Sequence, residues 1–215
     1  MCDMFARIAT RYDFFNDLLS FGIHRVTRRV LLREMNLQPG QLVLDVCAGT
    51  GALARRAVAR GVKVVGVDGC DAMLRRLVER VPSVPVVVGD ALNLPFADAS
   101  FDAAMIGFSA RDVASPLRMF SEIARVVRPG SIIANLDFTQ PPGRLRPIYH
   151  FYLRTIIPRL GRLIDRNAYW FLAESVERVI SAPDLAAVMT DAGLLDVRIT
   201  YCGLGVAAVH TGRVP

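Results

Sequence analysis

The sequence contains little lysine, few cysteines and no long apolar run, and these shortages narrow the classes of protein to which it can belong. Lys63 is the only lysine among 215 residues, so arginine carries nearly all of the basic charge behind a net charge of +6. No apolar run approaches the roughly 20 residues with which a helix crosses a bilayer. Charged side chains near the start, such as Asp3 and Arg7, are untypical of a secretory signal. We therefore expect a cytoplasmic protein.

The four cysteines, Cys2, Cys47, Cys70 and Cys202, are scattered along the chain and form no C-x-x-C pair. That spacing predicts neither a disulfide framework nor a zinc site, so reduced thiols are the expected state. The basic balance admits nucleic acid, anionic lipid or an anionic substrate as a partner. The length suits a single domain with a sizeable core.

One stretch near residue 45 combines a buried strand with a glycine-rich turn. The apolar run at residues 42–46 predicts a parallel strand, and Ala48-Gly49-Thr50-Gly51 follows it closely. Glycine lets the backbone turn sharply there and leaves room for a ligand, because it has no Cβ. Residues 52–60 have helical composition, so the loop leads into a helix. In open α/β sheets, ligands bind beyond the carboxyl ends of the strands, which is where this loop lies.

Three acids occupy the predicted ends of successive strands and indicate what the loop holds. Asp45 stands before the glycines, Asp68 ends the second strand and Asp90 ends the third. The carboxylate of Asp68 can accept hydrogen bonds from both hydroxyls of a ribose, and that of Asp90 can accept one from an exocyclic amine. The order acid, glycine loop, strand, acid resembles motifs I and II of S-adenosylmethionine-dependent methyltransferases. An ordinary strand-turn-helix with glycines for packing is the alternative.

The rest of the pattern alternates strands and helices. It predicts an α/β fold with a Rossmann-like, doubly wound, mostly parallel seven-stranded sheet in one methyltransferase domain with right-handed crossovers. The last two strands are predicted to pair as a hairpin at the sheet edge. The predicted strands are 42–46, 62–67, 84–88, 101–106, 132–137, 196–201 and 205–212, and the predicted helices of the core and tail are 52–60, 71–80, 115–128 and 182–192.

Two segments outside the core have open roles. Residues 1–36 predict two amphipathic helices, and the polar variety between them suits either a lid over the ligand or a helical cap with a buried His24. Residues 139–180 interleave aliphatic side chains with arginines, which predicts a basic amphipathic helix. That helix either closes the domain or forms an apolar substrate channel whose rim contacts anionic lipid. Residues 37–138 form the predicted cofactor-binding core, and residues 181–215 add a helix and a strand pair.

The fourth predicted strand ends in Gly107-Phe108-Ser109-Ala110-Arg111-Asp112, at the mouth of the predicted site. An arginine and an acid at that point favour a functional role, because binding and catalytic residues concentrate in such loops. A surface ion pair near the next helix is the alternative, and it would contribute little to stability.

Several of these segments resemble one family, the ubiquinone/menaquinone biosynthesis C-methyltransferases, and the resemblance covers nearly the whole chain. An N-terminal signature runs from Met4-Phe5 through Tyr12-Asp13 and Asn16 to His24-Arg25. The other motifs that carry the resemblance are Gly107-Phe108-x-x-Arg111, Arg125-Val126-x-x-Pro129-Gly130, and the insertion at residues 141–174 with Arg146-Pro147-x-Tyr149.

The resemblance implies methyl transfer from S-adenosylmethionine, which leaves as S-adenosylhomocysteine, to a ring carbon of a reduced prenylated quinone. Demethylmenaquinol or a related benzoquinol is the implied acceptor. Asp68 then holds the ribose, Asp90 and Ala91 hold the adenine, and Asp45 orients the glycine loop. No metal is implied. The implied cofactor-binding residues are Asp45, Ala48, Gly49, Thr50, Gly51, Asp68, Gly69, Met73, Asp90, Ala91 and Gly107.

The resemblance also implies an acceptor site. Once a quinol hydroxyl is deprotonated, the ortho carbon attacks the sulfonium methyl in line, with the reacting atoms about 3–3.5 Å apart and water kept out. Arg111 would stabilise the phenolate by opposite charge. The base is open among His24, Tyr149 and Asp112, and His24 comes first because its ordinary pKa lies near working pH. The implied substrate-binding residues are Tyr12, Asn16, Phe108 and Tyr152.

The sequence departs from the family pattern near the acceptor. Thr27 replaces the usual Trp, Asp112 the usual Asn, Asp137-Phe138-Thr139 the usual Glu-x-Ser, and Ser131 a glycine. Alternatives are therefore a methyltransferase for another lipid or small aromatic acceptor, an RNA-binding methyltransferase, and a silent cofactor-binding subunit. The arginines alternate with aliphatic residues and not with stacking aromatics, which argues against RNA. The expected partners are a lipophilic quinol, an anionic membrane surface at its inner face, and a second copy of the chain.

Overall fold

The computed structural model describes residues 23–141 and 179–215, together with Pro147, Phe151 and Thr155 between them. The strands are β1 Leu42–Val46, β2 Lys63–Asp68, β3 Val86–Val88, β4 Phe101–Gly107, β5 Val127–Phe138, β6 Leu195–Cys202 and β7 Ala207–Arg213. The helices described are α1 Ile23–Glu34, α2 Ala54–Val58, α3 Asp71–Arg80, α4 Pro116–Val126 and α5 Ala182–Asp191, and a short 3-10 turn occupies Gly203–Gly205.

All seven strands form one sheet in the order β3-β2-β1-β4-β5-β7-β6. The first five strands pair in parallel, whereas β7 runs antiparallel to both β5 and β6. The predicted doubly wound sheet and its terminal hairpin are therefore confirmed. Because the strand order reverses between β1 and β4, the carboxyl ends of these two strands flank the crevice in which this kind of fold binds ligands.

The core lies on both faces of the sheet. Leu31 of α1 and Leu77 of α3 are fully buried on one face. Phe120 of α4 and Met189 of α5 are fully buried on the other. Central strands in such a sandwich are apolar on both sides, which explains the uninterrupted apolar runs on which the strand predictions rested.

The largest difference from the predicted elements lies around Pro129. The predicted helix 115–128 ends at Val126, and β5 begins at Val127 instead of residue 132. Proline disfavours helical backbone in the residue before it, so the chain leaves the helix early. Val127 pairs with Phe101 before a register shift, and Gly130, with φ at +75°, lies inside the longer strand.

The cysteine prediction is wrong in part. Cys47 and Cys202 carry free thiols, but Cys70 belongs to a disulfide. No helix in the described ranges is long and apolar enough to cross a membrane. Within the same ranges, no group of three His, Cys, Asp or Glu side chains could hold a metal ion.

Candidate active site

The glycine loop after β1 has a tightly constrained backbone. Cys47, Gly49 and Gly51 all have positive φ angles, at 54°, 55° and 78°. The loop is closed by a hydrogen bond of 2.9 Å from the backbone N–H of Gly51 to the carbonyl of Ala48. A Cβ at Gly51 would lie 2.6 Å from Cγ of the buried Leu77. Glycine is therefore required at position 51 both for its conformation and for its contact with α3.

Replacing Gly51 with alanine should destabilise the fold by about 2–4 kcal/mol, because a left-handed conformation and an overpacked core each add to the cost. Urea unfolding followed by circular dichroism measures this change. Gly130→Ala is the matched control, since Gly130 also has positive φ but a Cβ there would meet nothing within 4 Å. Equal losses in the two variants would show that the contact with Leu77 contributes nothing.

Two of the predicted acids hold this loop from opposite sides. Asp68 accepts hydrogen bonds from the backbone N–H groups of Gly49 at 2.8 Å and Cys70 at 2.9 Å, one on each oxygen. Asp45 accepts one of 3.1 Å from the N–H of Ala54, at the start of α2. Each carboxylate oxygen can accept more than one hydrogen bond, so Asp68 retains lone pairs for the two hydroxyls of a ribose.

The electrostatics of the loop are dominated by burial. Burial raises the pKa of Asp45 well above its ordinary value, and the nearby charge of Asp68 raises it further. Burial also raises the pKa of Asp68, against the lowering effect of its hydrogen bonds with the backbone of Cys70 and Gly49. The pKa of the Cys47 thiol rises to about 12, chiefly through burial. The thiol is therefore neutral at physiological pH.

The residues predicted to bind the adenine lie beside β2 and β3. Asp90 is exposed and accepts a hydrogen bond of 2.9 Å from the N–H of Leu92. Ala91, the next residue in the sequence, is buried. Met73 on α3 is also buried. At Gly69 a Cβ would meet only the carbonyl oxygen of Gly89, at 3.8 Å, so the backbone there is open. The edges of this crevice thus combine one exposed carboxylate with apolar side chains.

Two aromatic rings lie at the carboxyl ends of β4 and β5. Phe108, with φ at +62°, packs its ring 4.8 Å from that of Phe138. The guanidinium carbon of Arg28 lies 5.6 Å from the ring centre of Phe108, and that of Arg111 lies 5.3 Å from the ring centre of Phe138. Such contacts between cations and rings are attractive. Behind them, a Cβ at Gly107 would lie 2.8 Å from Cδ1 of Leu53.

The side chain of Arg111 is largely buried and does not form a surface ion pair. Its side chain is 7% exposed; it bonds to Asp137 and lies 3.7 Å from Asp112, both of which are also buried or nearly so. The three side chains together carry one net negative charge, so a phenolate would compete with two carboxylates for the guanidinium. The role of Arg111 towards a phenolate remains a prediction.

Four predicted residues, Tyr12, Asn16, Tyr149 and Tyr152, lie outside the described residues, and His24 is described only through its backbone, in α1. Their predicted roles stay predictions. Sequence reasoning missed Arg28, which lies four residues after His24 and therefore on the same side of α1. The Arg28 charge lowers the pKa of Asp45 and so lies near the glycine loop. Helical spacing from His24 was the signal that could have found it.

The sheet with its antiparallel seventh strand, the glycine loop and the acid ending β2 define a class I S-adenosylmethionine-dependent methyltransferase. A solved methyltransferase of this kind from Thermotoga maritima has the same fold, with a TM-score of 0.70 at 21% identity over the whole of both chains. The chain belongs to the ubiE/COQ5 methyltransferase family, whose sequence model matches residues 1–214. It is therefore an enzyme that uses S-adenosylmethionine as its methyl donor.

Two relatives from this family show how far the similarity extends. The demethylmenaquinone methyltransferase of Paenarthrobacter aurescens is 38% identical over 99% of this chain and 85% of its own length. The ubiquinone/menaquinone biosynthesis C-methyltransferase of Rubrivivax gelatinosus is 38% identical over 97% of this chain and 84% of its own length. Both similarities cover the cofactor half and the acceptor half of the chain.

Proposed function

We propose that this enzyme methylates a ring carbon of a reduced prenylated quinone, demethylmenaquinol or a related benzoquinol, in the synthesis of a respiratory quinone. The observation that carries the proposal is the pair of aromatic rings, Phe108 and Phe138, flanked by Arg28 and Arg111. Two aromatic rings tilted by 42°, each with a guanidinium over it, suit a phenolic ring that becomes an anion. The names of the two relatives support the same acceptor.

The chain's own residues divide the work of binding the donor. S-adenosylmethionine supplies an electrophilic methyl group. Asp68 accepts hydrogen bonds from the ribose hydroxyls, and the Gly49-Thr50-Gly51 loop leaves room for the amino-acid end. Asp90 and Ala91 meet the adenine. Asp45 keeps the loop in place through its bond to the start of α2.

The residues on the acceptor side bind the quinol ring and favour its ionised form. Phe108 packs against the ring, and the positive charges of Arg28 and Arg111 lower the pKa of the bound hydroxyl. His24, Tyr149 and Asp112 remain the candidates for a base in contact with the acceptor.

The direct test is incubation with isotopically labelled S-adenosylmethionine and a set of reduced quinones, followed by mass analysis of the products. We expect a single labelled methyl group on a ring carbon. A label on oxygen or nitrogen would contradict carbon transfer, and labelling of a small aromatic compound in preference to any quinol would favour the alternative acceptor class.

We also propose that the acceptor side of the enzyme meets an anionic membrane surface, where a prenylated quinol would reside. Leu204, at the tip of the β6-β7 hairpin, is 80% exposed, and Tyr201 is 51% exposed. Ala207 of β7 pairs with Phe138 of β5, so this tip lies at the same end of the strands as the aromatic pair. The net charge of +6 favours anionic lipid.

Leu204→Ser should weaken binding to vesicles that contain anionic lipid several-fold, because one apolar anchor at the membrane is removed. Cosedimentation with vesicles of neutral and of anionic lipid measures it. Leu195→Ser is the matched control, since Leu195 is an exposed leucine of the same hairpin that pairs with Arg213 opposite Ile132, at the other end of the strands from Phe138. Tighter retention on RNA than on anionic vesicles at the same salt concentration would contradict the proposed partner.

A further inference from the structure

A group of buried polar side chains lies beneath the end of β5, apart from the residues assigned above to the donor and the acceptor. Asn135, Asp137 and His210 are between 0 and 3% exposed. In the described part of the chain, four of their side-chain atoms have no hydrogen-bond partner: both amide atoms of Asn135, Oδ2 of Asp137 and Nδ1 of His210. Leaving one such atom unpaired costs about 1–3 kcal/mol. So many unpartnered polar atoms in one place are typical of a buried polar site that ordered water fills.

The three residues share one face of the sheet. Asn135 of β5 lies directly opposite His210 of β7, and directly opposite residues of an antiparallel pair point to the same face. Asp137 follows Asn135 by two residues and therefore points the same way. The Asp137 charge raises the pKa of His210, which confirms that the two side chains are near each other. The group lies between the sheet and the start of α5.

The protonation of His210 follows from its one hydrogen bond. Its Nε2 lies 2.9 Å from the carbonyl oxygen of Ala182, at the first residue of α5. A carbonyl only accepts, so Nε2 must carry the hydrogen, and Nδ1 of the neutral ring is left with a lone pair. Burial lowers the pKa of His210 below its ordinary value, so the ring is neutral at physiological pH. Nδ1 is thus an unoccupied proton acceptor inside the enzyme.

The group is connected to the acceptor site through Asp137. The second oxygen of Asp137, Oδ1, bonds to Arg111, whose guanidinium lies over the ring of Phe138. Oδ1 also accepts a hydrogen bond of 2.8 Å from the N–H of Phe138. Asp137 therefore has one oxygen bonded at the acceptor site, while its other oxygen is buried and without a hydrogen-bond partner on the face of the sheet that it shares with His210. Ordered water is the usual occupant of a buried polar space with two to four partners.

We propose that Asn135, Asp137 and His210 enclose ordered water that carries the hydroxyl proton of the acceptor from the end of β5 to Nδ1 of His210. The proposal rests on the proposed quinol acceptor. His210 acts through water and does not touch the acceptor, so it is a positioning residue for the reaction. Asp137 stabilises the imidazolium that forms, because its carboxylate is of opposite charge.

The transfer balances in atoms and electrons. The O–H bond of the quinol breaks, its proton passes to water, and that water gives a proton to Nδ1. The electron pair left on oxygen moves into the ring, and the ortho carbon gains the methyl group as the bond between methyl and sulfur breaks. The ring carbon then releases its hydrogen to solvent as a proton, while His210 returns its own proton to the ring oxygen. One proton leaves per methyl group transferred.

The charged side chains that face His210 are few. On β5, the charged side chain near His210 is Asp137, which forms an ion pair with Arg111. The residue opposite on β6 is the apolar Ile199. The charged residues of α5, Asp184 and Asp191, are exposed. Among the described side chains, Asp137 is therefore the one whose charge governs the ionisation of His210.

His210→Gln tests the relay, because the glutamine amide can still donate to the carbonyl of Ala182 but cannot take up a proton. With both substrates saturating, we expect kcat to fall about 100-fold, the lower end of the usual effect of losing a proton acceptor. The melting temperature and the Kd for S-adenosylmethionine should stay close to those of the wild type. The wild-type kcat should fall in acid, at a pH below the ordinary pKa of histidine because burial lowers the pKa of His210, and the variant should lose this dependence.

Asn135→Leu is the second variant, since it removes two partners of the water without touching His210. If Asn135 has no part in the reaction, the leucine variant should be more stable than the wild type and should keep the wild-type kcat. If the relay operates, the kcat of the Asn135→Leu variant should fall whatever happens to its melting temperature. Unchanged kcat in both variants, with a wild type that methylates quinol, overturns the relay alone. A wild type that binds S-adenosylmethionine but methylates no quinol overturns both the relay and the proposed function.

Discussion

Asp68→Ala is expected to weaken the binding of S-adenosylmethionine by about 100-fold or more. Two hydrogen bonds from the ribose to a carboxylate are lost, at about 1.5–3 kcal/mol each, and every 1.4 kcal/mol is a factor of ten. The glycine loop also loses an anchor, because Gly49 donates to this side chain, and the turn after β2 loses the hydrogen bond from Cys70. Isothermal titration calorimetry measures the Kd directly, without any assumption about the acceptor.

Asp71→Ala is the matched control for that measurement. Asp71 is an acid three residues further along, at the start of α3, but its side chain is 57% exposed and pairs with Arg75. Removing it should leave the Kd within about twofold, because an exposed ion pair contributes little. Loss of affinity in both variants would mean that the charge of the region matters and not the position of Asp68. Unchanged affinity in Asp68→Ala would place the ribose elsewhere.

The cofactor half could be predicted because its signals are local in the sequence. An apolar strand followed by Ala48-Gly49-Thr50-Gly51 indicates a tight turn, and the acids at 45, 68 and 90 each lie at or close to the carboxyl end of a strand. Once the strands are known to be parallel, all three acids must lie at one edge of the sheet. The structure confirms the sheet and its topology, and it adds the hydrogen bonds by which Asp45 and Asp68 position the loop.

The polar group beneath β5 could not be predicted, because it depends on a pairing between distant residues. Asn135 and His210 are 75 residues apart, and only the register of β5 against β7 brings them together. Each looks unremarkable in its own strand, as one polar residue among apolar neighbours. Arg111 shows the same limit: its position at the site mouth was predictable, whereas its burial against Asp137 was not, since that partner comes from the next strand.

Arg111→Ala is expected to destabilise the fold by about 3–5 kcal/mol, because it leaves the buried Asp137 without its cation. For a chain of this size, that corresponds to a fall of roughly 6–20 °C in melting temperature. Turnover should fall as well, since the positive charge near the phenolate is lost. The Kd for S-adenosylmethionine should be unchanged, because Asp68 and the glycine loop do not contact Arg111.

Two comparisons separate these effects. Arg118→Ala removes an arginine that is 60% exposed and 3.7 Å from Glu122, and it should cost no more than about 1 kcal/mol. The double variant Arg111→Met, Asp137→Leu should recover most of the stability, because the buried carboxylate of Asp137 is removed together with its cation and Asp112 is only partly buried, yet it should stay slow. Recovery of turnover together with stability would show that Arg111 only shields Asp137. Persistent loss of turnover in a stable protein would show that the Arg111–Asp137 pair acts in the reaction and not only in stabilising the fold.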